Sequence, residues 1–368
     1  MRVADVVAVL ETIAPPSLAA EWDNVGLLIG DATARIRKLM LCIDLTDAVL
    51  DEAIAARADM VMAYHPVIFK PLPRLTAAAA PIAYRAARAG LAVYSMHTAI
   101  DAAPGGFNDV LAGILGLTAI RPIEQTVRKG QCKIVTFAPA SDLSRVAEAA
   151  FGAGAGRIGN YFDCAFFAHG IGLFCGGEGT RPAIGQAMRH EATEEMRLEV
   201  FAPRRCAGEV ASAIRAAHSY EEPVVEIYAL EDIPGGCGLG RVGRLPRPAS
   251  VAALVARIKK ATGLRQLWIS PATDASKPSP VKIAACAAGA CGSLFRGALS
   301  AGATFLLTGE LRHHEALEAA RSGMTVVCLG HSNSERIALP DLQSRIRSLL
   351  PRLPVTVSRS DRDPLRIV

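Results

Sequence analysis

Short apolar segments alternate with helical segments at both ends of this chain, and that alternation limits the fold more than any other feature. In the first part the apolar segments are residues 39–44, 60–64 and 91–96, and amphipathic stretches separate them. The same order returns between about residues 247 and 368. Strands that alternate with helices indicate βαβ units and a largely parallel sheet. The sequence therefore predicts an α/β fold in which two similar α/β layers form one core body.

The middle of the chain follows a different pattern. Residues 133–139 and 197–203 each form an apolar segment that ends in Phe-Ala-Pro and leads into a helical stretch. Two such units, with a further strand at 224–228, are typical of a ferredoxin-like α+β domain. We therefore expect the first half of the core at 1–128, an inserted ferredoxin-like domain at 129–245 and the second half of the core at 246–368.

Composition argues against several classes of protein. No uninterrupted apolar run reaches the roughly 18 residues that suggest a membrane span. The net charge of +5 comes from 40 basic and 35 acidic residues that are dispersed along the chain, so nucleic-acid binding is not expected. The 9 cysteines contain no C-x-x-C motif, and the N-terminal segment does not resemble a signal peptide. We therefore expect a cytoplasmic protein with reduced thiols and no membrane contact.

Three of the predicted strands run directly into a histidine. His65, His97 and His331 follow these strands, and Asp101 and Glu335 come four residues after the second and third histidine. Ligands of parallel α/β sheets bind at the carboxyl ends of strands, and residues i and i+4 share one face of a helix. A single histidine at a strand end is more often a structural hydrogen-bonding residue. Three of them with two carboxylates favour a site for a divalent metal cation such as Zn, Mn or Fe.

Other candidate residues carry weaker signals. His313 and His314 lie in a predicted helix, and one of them either orients a metal ligand or is a surface residue. The glycine-rich segment 288–293 joins a strand to a helix, which favours a plain tight turn over an anion site at the helix start. Cys291 in that segment is either a reactive thiol or, as most such cysteines are, an inert one.

Longer motifs extend this pattern over nearly the whole chain. They are Glu21-Trp22-Asp23-Asn24-Val25-Gly26-Leu27, His65-Pro66-Val67-Ile68-Phe69, His97-Thr98 with Asp101-Ala102-Ala103-Pro104-Gly105-Gly106, Thr308-Gly309 with His313-His314, and Gly330-His331 with Ser334-Glu335. In these motifs the chain resembles the NIF-three-like proteins, also called GTP cyclohydrolase 1 type 2 homologs or dinuclear metal centre hexameric proteins. In its middle part it resembles the PII/CutA-like domain of the longer members, through Ile158-Gly159-Asn160-Tyr161, Gly177-Glu178-Gly179 and His218-Ser219-Tyr220-Glu221-Glu222-Pro223.

The resemblance implies a metal centre and an oligomer. The implied ligands are His65, Asp101, His331 and Glu335, for one or two divalent ions per chain, in a homohexamer. The family's first motif is His-His-Pro, where this chain has a tyrosine, Tyr64, before His65. A phenol with a pKa of about 10 is a poor ligand for a divalent metal. We therefore expect one ion site to be kept, and the second to be weakened, lost or made selective for a harder ion such as Fe³⁺.

The resemblance also implies an activity. It is that of a metal-dependent hydrolase similar to GTP cyclohydrolase 1 type 2 homologs, in which metal-activated water acts on a nucleotide-like substrate. His97 is the candidate general base, and the segment from Gly289 to Ser293 is a candidate phosphate cradle. The alternative that stays open is a non-catalytic metal-binding or metabolite-sensing hexameric assembly. A third hypothesis, DNA binding, would require a clustered basic surface.

Overall fold

The computed structural model describes residues 1–126, 131–158, 161–230, 236–273 and 279–365. Its α-helices are α1 (Val3–Ile13), α2 (Asp47–Ala55), α3 (Pro81–Arg88), α4 (His97–Ala102), α5 (Phe107–Leu115), α6 (Leu143–Gly152), α7 (Ala207–Ala217), α8 (Val251–Thr262), α9 (Leu294–Ser300), α10 (His313–Arg321), α11 (His331–Arg336) and α12 (Leu339–Leu349). Its strands are β1 (Gly26–Ile29), β2 (Leu39–Cys42), β3 (Met60–Ala63), β4 (Ala92–Ser95), β5 (Thr118–Arg121), β6 (Glu124–Gln125), β7 (Gln131–Ala138), β8 (Ala165–Cys175), β9 (His190–Pro203), β10 (Val225–Ala229), β11 (Gly238–Leu239), β12 (Arg241–Ala249), β13 (Trp268–Ser270), β14 (Val281–Ala290), β15 (Phe305–Glu310), β16 (Thr325–Cys328) and β17 (Val355–Val357). Among the described residues, no helix is long and apolar enough to cross a membrane.

The chain forms two compact units. The first combines both ends of the chain, Met1–Thr126 and Pro234–Val368, and the second is Val127–Ile233. The domain limits expected from the sequence stay a prediction, with one difference. Strand β12 contains the expected limit at residue 245, and it pairs with β14 in the first unit. The residues from Arg241 to Leu245 therefore belong to the first unit rather than to the insert.

The first sheet of the first unit has the strand order β1-β4-β3-β2-β17. Strands β17, β2, β3 and β4 run parallel, and β1 is an antiparallel edge strand. Every residue of β2, β3 and β4 is buried. This agrees with their continuous apolar sequences, because a parallel sheet is usually covered on both faces. Helix α2 lies between β2 and β3 in the chain and begins after Thr46, whose hydroxyl accepts a hydrogen bond from the N–H of Val49.

The second sheet of the first unit has the order β13-β16-β15-β14-β12-β5. Strands β14, β15 and β16 run parallel, and the other pairings are antiparallel. The expected α/β class is confirmed, with sheets of mixed direction. The sequence did not indicate that each sheet takes an edge strand from the other end of the chain. Strand β5 joins the second sheet and β17 joins the first, so the two halves are interlocked by backbone pairing.

Helices from both ends of the chain cover the first sheet. Leu10 of α1 and Leu342 of α12 belong to the same buried core as Leu41 of β2 and Met62 of β3. Truncating one such leucine to alanine typically costs about 2–5 kcal/mol of stability. This core holds β3 and β4 in place, and their carboxyl ends carry His65 and His97.

The second unit has the element order β7-α6-β8-β9-α7-β10 and an antiparallel sheet ordered β10-β7-β9-β8. This is the β-α-β-β-α-β order of ferredoxin-like domains. Its core includes Ile134, Val146, Leu198 and Ile214, from two strands and both helices. Strand β8 was not expected, because its residues are mostly exposed and show no regular alternation of polar and apolar types. The more specific PII/CutA-like assignment stays a prediction, and Gly159 and Asn160 of its first motif lie outside the described residues.

Candidate metal centre

His65 is positioned by an extension of β3. The backbone N–H of Tyr64 donates to the carbonyl of Cys42, and that of His65 donates to the carbonyl of Ile43 at 3.0 Å. The proline that follows favours extended geometry at His65 and ends the strand there. The imidazole Nδ1 of His65 lies 2.9 Å from Oδ1 of Asp44, a residue just beyond the carboxyl end of the neighbouring strand β2. This contact leaves Nε2 of His65 as its candidate ligand atom.

His331 and Glu335 lie one helical turn apart at the start of α11. The segment after β16 is helical, and Nε2 of His331 lies 3.2 Å from Oε1 of Glu335. Glu335 is only 1% exposed. The other imidazole nitrogen of His331, Nδ1, lies 3.0 Å from Oε1 of Glu310, the last residue of β15. In both histidines, a carboxylate beside Nδ1 fixes the orientation of the ring. The other ring nitrogen, Nε2, faces Glu335 in both cases.

Three ligand atoms meet at this point. The atoms offered by His65, His331 and Glu335 all lie within 4.8 Å of one another. Nε2 of His65 is 3.7 Å from Oε1 of Glu335, and the two imidazole centroids are 5.6 Å apart. Oε2 of Glu335 and Oδ1 of Asp101 are buried and have no hydrogen-bond partner among the described residues. Buried polar atoms are normally paired, so two unpaired carboxylate oxygens fit a site that holds a cation.

The charge distribution fits a cation as well. Burial opposes protonation of His65, but Asp44 and Glu335 raise its pKa to about 10. The hydrogen bond to Glu335 raises the pKa of His331 to about 9, with burial opposing it and Glu310 adding to it. Burial opposes ionisation of Glu335, but His331 and His65 hold its pKa below the usual value. The carboxylates around these rings therefore favour positive charge at the point where the three ligand atoms meet.

Asp101 lies outside this group of three ligand residues. It is buried in α4, and its Oδ2 accepts a hydrogen bond of 2.6 Å from the hydroxyl of Tyr64. Tyr64 is itself buried and stacks on Phe107, with centroids 4.9 Å apart and planes inclined by 6°. Burial raises the pKa of Asp101 to about 7; the hydrogen bond from Tyr64 lowers it, and the charge of Glu335 raises it further. The role of Asp101 as a metal ligand stays a prediction.

His97 is the first residue of α4, and Asp101 lies one turn later in the same helix. Its backbone φ of +27° lies in a region that residues other than glycine rarely adopt. Nδ1 of His97 lies 2.7 Å from Oδ1 of Asp23, a carboxylate that also accepts hydrogen bonds from the backbone N–H and the hydroxyl of Thr98. If Nδ1 carries the proton, Nε2 is an acceptor, the form that a general base requires. The ring centroid of His97 is 5.3 Å from that of His65.

The glycine-rich segment 288–293 packs closely against Glu335 of the candidate metal centre. Gly289 has a φ of +61°, and a Cβ atom placed on it would lie 2.6 Å from Oε1 of Glu335. The backbone N–H groups of Ala288, Gly289 and Cys291 donate to Asn108, Ser334 and the carbonyl of Glu310. These three N–H groups are engaged within the protein, which agrees with the favoured tight turn, and the phosphate cradle stays a prediction. Cys291 is buried, and burial raises the pKa of its thiol to about 12, which favours the inert alternative.

Sequence reasoning missed the carboxylates that orient the histidines. It considered His313 and His314 for that role, but both are exposed at the start of α10. The residues beside the imidazoles are instead Asp44, Glu310 and Asp23. Asp44 and Glu310 lie at the carboxyl ends of strands, as the histidines do. That placement is the signal that could have identified both residues.

The fold and the site together define a class: an α/β protein with a group of histidines and carboxylates at the carboxyl ends of its parallel strands. The family model described as Duf34/NIF3 (NGG1p interacting factor 3) matches residues 1–364, and the chain therefore belongs to the Duf34/NIF3 family. The resemblance noted in its motifs is confirmed.

Similar proteins span nearly the whole chain. The GTP cyclohydrolase 1 type 2 homolog of Listeria innocua is 32% identical over 342 residues, 92% of this chain and 90% of that protein. NIF3-like protein 1 of Rattus norvegicus is 32% identical over 370 residues, 98% of this chain and 91% of that protein. The crystal structure of a Bacillus cereus protein related to NIF3 has a TM-score of 0.66 and 29% identity, covering 100% of this chain and 99% of that one. A Staphylococcus aureus protein of the same fold has a TM-score of 0.77 with 23% identity, covering 100% of this chain and 99% of that one.

Proposed function

We propose that this protein binds a divalent transition metal through His65, His331 and Glu335, and that it is a metal-dependent hydrolase. The observation that carries the proposal is the convergence of these three ligand atoms within 4.8 Å, where Oε2 of the buried Glu335 has no partner in the described part of the chain. Two imidazole nitrogens and a carboxylate are a donor set that Zn²⁺, Mn²⁺ and Fe²⁺ accept. The proposed substrate class is a nucleotide, because relatives carry the name GTP cyclohydrolase 1 type 2 homolog.

Different residues of this chain have different roles in such a site. A bound divalent metal supplies a Lewis acid that polarises the substrate and makes water more acidic. Asp44 and Glu310 fix the rings of His65 and His331 through their Nδ1 atoms. His97, oriented by Asp23, is placed beside His65 to accept a proton at Nε2. The strained backbone of His97 is consistent with a residue held in place for function.

The proposed stoichiometry is one tightly held ion per chain. Tyr64 occupies the position where a second imidazole would stand, and its hydroxyl is engaged with Asp101. Asp101 then offers Oδ1, which is unpaired as far as the described residues go, to any further ion. We propose that this second position is weak or selects a harder ion.

Metal analysis of the full-length protein tests the proposal. His331→Ala should lose bound metal after Zn²⁺, Mn²⁺ or Fe²⁺ loading and should lose nucleotide hydrolysis. His313→Ala is the matched control, because this histidine is exposed at the start of α10, and it should keep both. Unchanged metal content in folded His331→Ala would refute the assignment.

A second candidate function is metabolite sensing without catalysis, in a homohexamer with a PII/CutA-like insert. The observation that favours it is a cavity of about 650 Å³ in the second unit, lined by residues that include Phe137, Glu195 and Tyr220. The hydroxyl of Tyr220 donates to Oε1 of Glu195 at 2.8 Å, so polar groups are fixed in its wall. In this case the wild-type protein loaded with each metal would hydrolyse no nucleotide. His331→Ala would instead change the oligomer mass measured by light scattering.

A further inference from the structure

Two large aromatic side chains are exposed beside the candidate metal centre. Trp22 is 63% exposed and Phe69 is 46% exposed, and their ring centroids lie 5.9 Å apart with the planes inclined by 50°. Both rings also approach the imidazole of His97 edge to face, at 5.9 Å from Trp22 and 6.4 Å from Phe69. A cluster of exposed aromatic rings beside a polar site is characteristic of a ligand-binding surface.

Hydrogen bonds fix the segments that carry these rings. The side-chain amide of Asn24 donates to the carbonyl of Ile68 at 2.6 Å and so joins the segment of Trp22 to that of Phe69. Oδ2 of Asp23 accepts from the backbone N–H of Thr98 at 3.1 Å, which attaches the first segment to α4. The rings are therefore held in a prearranged position, which lowers the entropic cost of binding a ligand.

The aromatic rings are continuous with the metal-ligand residues. The centroid of His97 lies 5.3 Å from that of His65, and His65 lies 5.6 Å from His331. A path of neighbouring rings thus leads from the exposed Trp22 to the point where the candidate ligand atoms meet. A molecule lying on Trp22 and Phe69 would have its other end directed toward these polar groups.

We propose that Trp22 and Phe69 form a stacking platform for the planar heteroaromatic ring of a small-molecule ligand whose polar part reaches the candidate metal centre. The proposal rests on the proposed function, since it describes how the substrate of that same site is held. It adds a ring-recognition surface made of two residues outside the ligand set.

The chemistry of the surroundings selects this class of ligand. An aliphatic chain would satisfy the apolar faces of the two rings but would offer no donor or acceptor to the imidazole of His97 or to the other polar groups of the candidate metal centre. A planar ring that has polar atoms at its edge and a polar substituent can stack on the two aromatic rings and also contact the polar groups of the centre. Stacking of a base on an aromatic side chain is worth about 1–3 kcal/mol.

Tryptophan fluorescence tests the platform in the full chain. The sequence has 2 tryptophans, so Trp268→Phe leaves Trp22 as the only fluorescent indole. Guanosine should quench this fluorescence with saturation, and ribose 5-phosphate, which has no aromatic ring, should not. Adding Phe69→Ala should weaken guanosine binding by about 5- to 150-fold. The matched control is Trp22→Phe with Trp268 retained, where guanosine should leave the fluorescence unchanged.

In variants without Trp22, guanosine affinity is measured by calorimetry, because the Trp22 fluorescence signal is lost. Trp22→Phe should bind within a few fold of wild type, and Trp22→Ala should lose about 5- to 150-fold. Equal quenching of Trp22 and Trp268, or equal guanosine affinity in folded Trp22→Ala, would overturn the platform. A change in oligomer mass in Trp22→Ala would overturn it as well, because that would identify the surface as a contact between copies of the chain.

Two experimental outcomes distinguish a failure of the stacking platform from a failure of the proposed hydrolase function. Protein that binds no metal and hydrolyses no nucleotide, but shows specific quenching of Trp22, would retain the platform and lose the hydrolase. Protein that hydrolyses nucleotides with the same KM in wild type and Trp22→Ala, without a change in Trp22 fluorescence, would retain the hydrolase and lose the platform.

Discussion

The hydroxyl of Tyr64 donates a hydrogen bond of 2.6 Å to Oδ2 of Asp101, and both side chains are buried. This pair stands directly beside His65, at the carboxyl end of β3. It accounts for one oxygen of Asp101, and the other, Oδ1, has no hydrogen-bond partner within the ranges that the structure describes. The identity of residue 64 therefore determines whether Oδ2 of Asp101 is engaged in a hydrogen bond.

Tyr64→His should increase the metal content of the protein. The change replaces a phenol, whose burial keeps its pKa well above the usual value, with an imidazole that binds divalent metals when neutral. We expect the metal-to-protein ratio after Zn²⁺ loading to rise from about one toward about two. Mass spectrometry of the loaded protein measures this ratio. Tyr84→His, which adds a histidine on α3, is the control, and an equal rise there would contradict the prediction.

Tyr64→Phe should destabilise the metal-free protein. The variant keeps the ring that stacks on Phe107 but removes the donor to Asp101. A buried acceptor that loses its partner costs about 1–3 kcal/mol. Urea unfolding of chelator-treated protein should show a loss of stability in this range, while the content of tightly bound metal stays at its wild-type level. Wild-type stability of the metal-free variant would show that the hydrogen bond contributes nothing.

Asp44→Asn should weaken metal binding without removing a ligand. The carboxylate lies 2.9 Å from Nδ1 of His65, and partners of this kind raise the basicity of the ligating imidazole. Their loss typically lowers metal affinity by about 10- to 100-fold. Competition with a chromogenic chelator gives the affinity. Asp47→Asn removes an exposed carboxylate that pairs with Arg85, so its metal affinity should match wild type.

Gly289→Ala should disrupt the candidate metal centre, because the added methyl group would clash with Glu335. The new methyl carbon would lie 2.6 Å from Oε1 of Glu335, and the φ of +61° adds backbone strain of about 1 kcal/mol. Gly292→Ala is the matched control, since this residue has a φ of +52° and its new methyl group would meet no described atom within 4 Å outside its chain neighbours. Both variants should lose stability in thermal unfolding, and only Gly289→Ala should lose metal affinity. Loss of affinity in both would attribute the effect to backbone strain alone.

Local sequence patterns were sufficient for part of this structure. The apolar segments at β2, β3 and β4 depend on residues close in sequence, and these strands were predicted correctly. The i, i+4 spacing of His331 and Glu335 is also local, and helix α11 gives it the shared face that such a spacing allows. The edge strands β5 and β17 were not predicted. Their pairing joins residues far apart in the chain, such as Val355 with Leu39, and no local pattern records such a register.

The candidate metal centre also combines features that the sequence predicted with features that it did not. The histidines at strand ends were recognisable because imidazoles at such positions are chemically distinctive. Asp44 and Glu310 were missed, because an acidic residue after a strand is common and only its distance to an imidazole gives it a role. The hydrogen bond between Tyr64 and Asp101 depends on the contact of β3 with α4, which the sequence does not specify.

Glu52→Gln should release the C-terminal segment from α2. Burial opposes ionisation of Glu52, but hydrogen bonds from Ser358, Arg359 and Ser360 lower its pKa from 4.5 to about 2. A carboxylate with a lowered pKa in the folded state stabilises the protein above pH 4.5, and this contribution is lost as the pH falls through about 2. After allowance for solvent screening, we expect the variant to be less stable by about 1–2 kcal/mol at neutral pH. Urea unfolding at a series of pH values should show the difference from wild type shrinking below pH 4.5. A difference independent of pH would mean that the charge of Glu52 is not what holds the segment.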